Sequence, residues 1–286
     1  MTQRLQTLRT NPRQLLTLAI VLLSLTGFLA YSTTWNTVAA APRPMTKAVA
    51  TSSAVHHTSK ALRDPRRNVS ASPDYLDFCA TKGSNNKTCL SRALSAINNA
   101  RAAEGIGPMI LPTNYVHMSI PRQTFVVTNL ERVDRGLRPF KGLTAKLNGN
   151  AHHAAATNSD PTLIGAVMAL LGIRTYGSIW AGDFGPLASD YDWMYNDGYS
   201  SNGSVNLDCR TPSSSGCWGH RHVILGTYSS MRSLAAGVGT SKPVGSSIAE
   251  IFVGSTHAAF NYVYTWKQAL AYGAAGHKVT ASQATA

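Results

Sequence analysis

A step in composition near residue 75 decides where a core can form. Residues 41–75 are rich in Ala, Ser, Thr, Pro and Arg, with few large apolar side chains. Such a segment cannot bury enough surface to offset the entropy of ordering it. Ahead of it, Arg4, Arg9 and Arg13 precede the apolar run Leu15–Tyr31, a positive flank followed by a membrane-seeking stretch. The run is at the short edge of what spans a bilayer. The small residues Ala39–Ala41 offer a cleavage site, so a signal peptide and an uncleaved anchor both stand. In either case the basic end stays inside and the rest is exported. The sequence predicts three parts: 1–40, a signal peptide or single transmembrane anchor; 41–75, a disordered linker; and 76–286, an extracytoplasmic domain. The protein is expected to be secreted, or anchored to the cell membrane by its N-terminal helix.

Charge follows the same division. Residues 1–70 hold nine Lys/Arg against one acid, and the remaining 216 hold 17 against 12. The net charge of +13 is therefore mostly a property of the targeting and tether region. Nucleic-acid binding needs a basic patch on the folded part, where no such run occurs, so no nucleic-acid partner is expected.

The four cysteines fall into two local pairs, Cys79 with Cys89 and Cys209 with Cys217. An even count in an exported chain points to disulfides. Four cysteines admit three connectivities, of which the local one is simplest. Neither pair has zinc-ligand spacing.

Within the domain, helical periodicity marks segments 88–105, 119–136 and 142–158, with a short apolar helix or buried turn at 161–173 and a helix face of Leu187, Tyr191, Met194 and Tyr195. Ser119 and Pro121 suit a helix start. Segment 176–186, YGSIWAGDFGP, reads as a Gly-rich loop. Segments 233–240, 246–255 and 261–266 read as strands of a later antiparallel sheet. Helices followed by strands give an α+β layered fold.

The stretch Gly216–Leu225, GCWGHRHVIL, packs a cysteine, a tryptophan, two histidines and an arginine before turning apolar. A helix is expected there, on which His220 and His222 diverge. Arg221 is given a structural role and His222 a solvent-facing one. Trp180, Trp193 and Trp218 are core candidates first and groove candidates second. Glu131 is expected to pair with Arg135 at i,i+4, worth a few tenths of a kcal/mol. A Gly-x-Ser-x-Gly elbow, a His-Glu-x-x-His motif and a phosphate loop are all missing from the sequence.

Four blocks in order, VTNLERVDRGL, GSIWAG, WMYNDG and GHRHVIL, resemble the CAP superfamily of cysteine-rich secretory, antigen 5 and pathogenesis-related proteins, nearest to bacterial and actinobacterial exported members. The matching residues are Asn129, Glu131, Arg132, Gly136 and Leu137, then Gly219, His220, Arg221, Ile224 and Leu225, within residues 120–266. The resemblance implies an α-β-α sandwich with a central cavity, around which many members place two His and two Glu, sometimes with a divalent metal. His220 stands where one histidine belongs. Gly177, Ser178 and Ile179 replace the Gly-Glu-Asn block. Asp190, Asp192 and Asp197 occur near the second acidic block, without a Glu. The other histidine is missing near Asp160, and His152 and His153 lie earlier. The tetrad is thus degenerate, and neither metal nor other cofactor is expected.

The residues expected to line a cavity are His220, Ser178, Trp180 and Asp190. His220 is the one catalytic candidate; the arrangement weighed for it uses Ser178 as nucleophile and Asp190 to orient the imidazole. The expected function is non-enzymatic binding of a small-molecule, lipid or envelope-polymer ligand at the cell surface. The alternative is a His220-dependent or metal-assisted hydrolase of envelope polymers or peptides.

Overall fold

The Cys79–Cys89 disulfide joins the first two helices, α1 (Leu76–Lys82) and α2 (Lys87–Ala103). Asn86 starts α2, its side chain accepting from Thr88 N and Cys89 N at 3.0 and 3.3 Å. The computed structural model describes residues 62–182, 185–200, 206–228, 230–241, 245–257 and 259–274. The expected anchor or signal and residues 41–61 of the expected linker lie outside them. Among the described residues, no helix is long and apolar enough to cross a membrane.

The central helix, α3 (Ile120–Val133), begins at Ser119 and Pro121 as expected. It is buried from Gln123 through Arg132, on its polar sides as well as its apolar stripe. Several of its polar groups are satisfied by nearby backbone. Thr124 and Thr128 donate to the carbonyls one turn back, at 3.0 and 3.1 Å. Asn129 clasps Phe140 in both directions, donating to its carbonyl and accepting from its N–H.

Five strands follow in the order β2-β4-β3-β1-β5: β1 (Gly142–Thr144), β2 (Ile173–Ala181), β3 (Ser233–Thr240), β4 (Ile248–Ser255) and β5 (Tyr262–Thr265). The sheet is mixed rather than antiparallel throughout, because β1 runs parallel to β3. Segment 176–186, read as a loop, supplies most of β2. Its Gly177 serves close packing, not a turn: a Cβ there would lie 2.7 Å from Val223.

Alternation divides the core between the two faces of the sheet. Leu234, Ala236, Val238 and Phe252 join the cluster around α3, whereas Ala235, Ala249, Ile251 and Val253 pack with Leu147, Ala151 and Ala154 of α4 (Ala145–Ala156). Helix α4 lies close to β3. A Cβ on Gly237 would meet the Leu147 backbone at 2.3 Å, and one on Gly239 the His152 nitrogen at 2.0 Å. Helix α5 (Gly165–Leu170) leans on β2; α6 (Pro186–Tyr195) and α7 (Gly219–Ile224) pack with α3 on the other face, and α8 (Trp266–Ala271) follows β5. The result is a mixed α+β fold with helices on both sides of the sheet.

Residues 62–75, assigned to the linker on composition, are packed onto the domain at several points. Arg63 O accepts from Arg221, Asp64 meets His222, Asn68 accepts from Gly198 N, and Val69 exchanges hydrogen bonds with Tyr195 O and Tyr191 OH. Leu62, Val69 and Ala71 of this strap also lean on the core, and Tyr75 is buried in it against Tyr191; so few apolar side chains, spread over residues 62–75, leave no periodic signal in the composition.

The helices meet at a buried ionic cluster. Glu131 accepts from Arg101, Arg135 and the Tyr195 hydroxyl. Asp134 also holds Arg101, while Glu104 holds Arg135 and Arg221. The expected Glu131–Arg135 pair is therefore present but fully buried, unlike the weak helix-face pairs worth a few tenths of a kcal/mol. Burial alone would raise the Glu131 carboxyl; Arg101 and Arg135 overcome it and hold it at about 2. Removing one member of a buried cluster strands the others. Glu131→Gln should cost about 3–5 kcal/mol by denaturant titration at neutral pH. Because the folded value lies below the unfolded one, this gap should be complete above roughly pH 4.3 and close as pH falls toward 2.

Candidate functional site

The site forms where Asp197 receives the first turn of α7. Trp218, in the left-handed region at φ 61°, brings the chain into that turn. One oxygen of Asp197 accepts from the backbone N–H of His220 at 2.8 Å and of Arg221 at 3.3 Å. The other meets His220 Nδ1 at 2.6 Å. Asn206 also donates to Asp197, and Trp218 N donates to its carbonyl at 2.9 Å. Asp197 is thus both the cap of α7 and the acid that orients the imidazole. Gly198 must be small, because a Cβ there would lie 2.4 Å from the Trp218 ring.

The rest of the stretch has structural partners. Arg221 donates to Met194 O at 2.7 Å and pairs with Glu104, as its expected structural role requires. His222 is 60 % exposed and pairs with Asp64 at 2.9 Å. Arg132, the arginine of the block on α3, donates to the carbonyls of Ile224 and Gly226 and so closes the far end of α7. Its guanidinium lies over Phe140 at 4.4 Å. The expected disulfides are both present, Cys79–Cys89 and Cys209–Cys217, and the second closes the loop before α7. Two disulfides point to an oxidising, extracytoplasmic environment.

His220 is 23 % exposed and Asp197 is 1 % exposed. Burial pulls the imidazole down, but the Asp197 hydrogen bond and the charges of Asp197, Asp160 and Asp208 outweigh it and raise the His220 value above the usual one. Asp160 is raised by burial and by Asp208, against the opposing pull of His220. With Nδ1 given to Asp197, His220 keeps Nε2 for another partner, on a ring that also feels the charges of Asp160 and Asp208.

The expected lining divides. Gly177 and Ile179 share the face of β2 on which Val223 of α7 sits, so Ser178 and Trp180 stand on the opposite face, paired in register with Ile251 and Ala249. Trp180 donates to Ser247 there at 2.8 Å. Asp190 is buried in α6 beside Glu131, and burial together with the Glu131 charge pushes its carboxyl well above the usual range. The orienting acid is Asp197, not Asp190, and Ser178 makes no hydrogen bond with His220 among the described residues. Trp193 is core, donating to Trp180 O at 3.1 Å, and His152 of α4 binds Thr240 O at the end of β3.

In the sequence, Asp197 stands out only as one acid of a block and as the turn ending α6. The place of Asp160 stands out as that of a missing histidine, and Asp208 does not stand out. A signal was present in the spacing: an Asp-Gly turn ahead of a disulfide-closed loop that returns to a helix start. In the family that the sequence resembles, such a tetrad sometimes holds a divalent metal. Among the described residues, however, no group of three or more His, Cys, Asp or Glu side chains is arranged to hold an ion, so the donor set does not fit one. No protein-family model matches the chain, and no curated protein matches it.

Asp197→Asn should lower the His220 value below that of the wild type, because the ring stays buried while the charge beside it goes. An NMR titration of the His220 ring protons reads this directly. The stability Asp197 adds through a protonated His220 is greatest below the unfolded histidine value of about 6.5. It is lost as pH rises through the higher folded value.

Proposed function

We propose that the chain is an exported CAP-type domain, an α-β-α sandwich that is secreted or held at the membrane by its N-terminal segment. It acts at the cell surface or envelope by binding a polar ligand at His220. The observation that carries this reading is the Asp197–His220 pair, a part-exposed imidazole held by a buried carboxylate and also acted on by the charges of Asp160 and Asp208. Carboxylates accept from hydroxyl and amine donors, and a protonated imidazole donates; an envelope glycan or its amino sugars offers both kinds of partner. The sandwich is supported by the helices on both faces of the sheet. The motif residues take roles that suit a shared scaffold: Asn129 clasping Phe140, Arg132 closing α7, and Asp197 opening it.

A second reading rests on the same pair. A carboxylate on Nδ1 is how an imidazole is oriented as a general base, here for a water molecule, since both cysteine pairs are closed and Ser178 is on the other face of the sheet. His220→Ala separates the two. If the site binds, the variant should lose affinity for insoluble cell-wall glycan in a sedimentation assay and lose roughly 1–3 kcal/mol of stability, with no turnover of glycan, ester or peptide by either protein. A wild-type turnover that falls by about two to four orders of magnitude at unchanged melting temperature would establish the hydrolase instead. Binding unchanged in His220→Ala would remove His220 from the function.

A further inference from the structure

Helix α5 reads Gly-Ala-Val-Met-Ala-Leu, and none of its residues is buried. Ile164 just ahead of it is 65 % exposed and Leu170 at its end is 77 % exposed. From Pro161 to Ile173 the chain has one hydroxyl and no charge. Leu163, Met168 and Leu171 lean on the core beneath α4, which leaves Ile164, Ala166, Ala169 and Leu170 facing water. A helix of this composition normally buries one side completely, and contiguous exposed apolar surface marks an interaction site.

Its surroundings indicate the partner. Arg174 and Arg232 are both exposed, and neither is in an ion pair among the described residues. Arg232 N donates to Ser255 O, and the Ser255 hydroxyl donates to Leu171 O, so Arg232 stands at the C-terminal end of α5. Arg174 lies two residues past Gly172, where the His257 side chain also approaches. No acidic residue occurs between Pro161 and Gly182, or between Cys209 and Ala249. Apolar side chains rimmed by cations that form no ion pair among the described residues, on stretches of chain without acids, fit the boundary of an anionic bilayer.

The chain path is consistent with this. Asp64, near the start of the described residues, is tied to His222 of α7, and α7 and α5 pack on opposite faces of the same edge strand, β2. About 30 residues separate Leu62 from the apolar run ending at Tyr31.

We infer that α5, with Arg174 and Arg232, is a membrane-docking edge that lays the domain against anionic lipid. The inference draws on the proposed membrane anchoring for its setting, and the test keeps the two apart. The full chain, carrying Leu170→Cys or, on the opposite edge strand, Val263→Cys, is labelled with an environment-sensitive fluorophore. It is reconstituted into vesicles of phosphatidylcholine alone or with added phosphatidylglycerol. Flotation with neutral vesicles reports the anchor. Iodide quenching reports docking: the label at 170, but not at 263, should lose severalfold of its quenching when anionic lipid is present, and Arg174→Glu with Arg232→Glu should restore it. Equal quenching at both positions in anionic vesicles overturns the inference even where the chain floats. Protection at 170 that follows protein density rather than lipid charge assigns the face to a second copy and equally overturns it. Failure to float with neutral vesicles, with position 170 still protected by anionic ones, removes the anchor and leaves the docking edge standing.

Discussion

The Glu131 carboxylate, closed off from water between Arg101 and Arg135, is the contact on which the helical side of the molecule depends. Its partners come from α2, from the turn after α3, and from Tyr195 at the end of α6. Arg135 passes the connection to Glu104, and Glu104 to Arg221 on α7. Three arginines therefore face Glu104, Glu131 and Asp134, and the cluster is neutral overall. Such a cluster adds little net stability beyond what apolar side chains would supply, yet removing one member is costly. Its effect here is to fix how α2, α3, α6 and α7 meet. Asp190, buried beside it, finds no cation left over, and its raised carboxyl value is the outcome.

That cluster ends one residue from the candidate site. Arg221 is locked inward, so the preceding residue on α7 is held outward, where Asp197 takes both its backbone N–H and its ring nitrogen. The same carboxylate that begins the helix orients the imidazole. Helix position and imidazole orientation are therefore one variable, set by the Asp197–Gly198 turn, by Asn206, and by Asn68 of the N-terminal strap, which accepts from Gly198 N at 2.6 Å.

The elements with strong periodicity were legible in the sequence: α2, α3, α4, the face of α6, and strands β3, β4 and β5. Both local cysteine pairs were legible as well. Elements whose local signals pointed elsewhere were not. β2 was hidden because Gly177 and Gly182 resemble loop residues, although Gly177 is small for the sake of Val223. β1 has only three residues, too few to alternate visibly. The motif on α3 showed that Glu131 and Arg132 mattered but not that they were buried, since an i,i+4 ion pair looks the same on a surface. At the site, His220 was legible as the residue to watch, whereas its partners come from separate loops. Which of several aspartates returns to it is a question of chain path, and residue type carries no record of that. Ser178 and Trp180 went astray for a related reason: with β2 unseen, there was no alternation to place them on the far face.

The two glycines of β3 under α4 have a consequence for how this chain can change. Leu147, Ala151 and Ala154 form a helix face that sits nearly on the backbone of the sheet, and positions 237 and 239 have no room for even a methyl group. The two surfaces are a matched pair, each shaped by what the other lacks. A larger side chain on the strand could enter only if the helix moved outward, and the space opened that way would need new bulk at Ala151 or Ala154 to fill it. Over generations of sequence drift these positions are therefore not independent letters. They can be exchanged only as a set, and any relative of this chain that carries a side chain at 237 or 239 should carry a different helix opposite it.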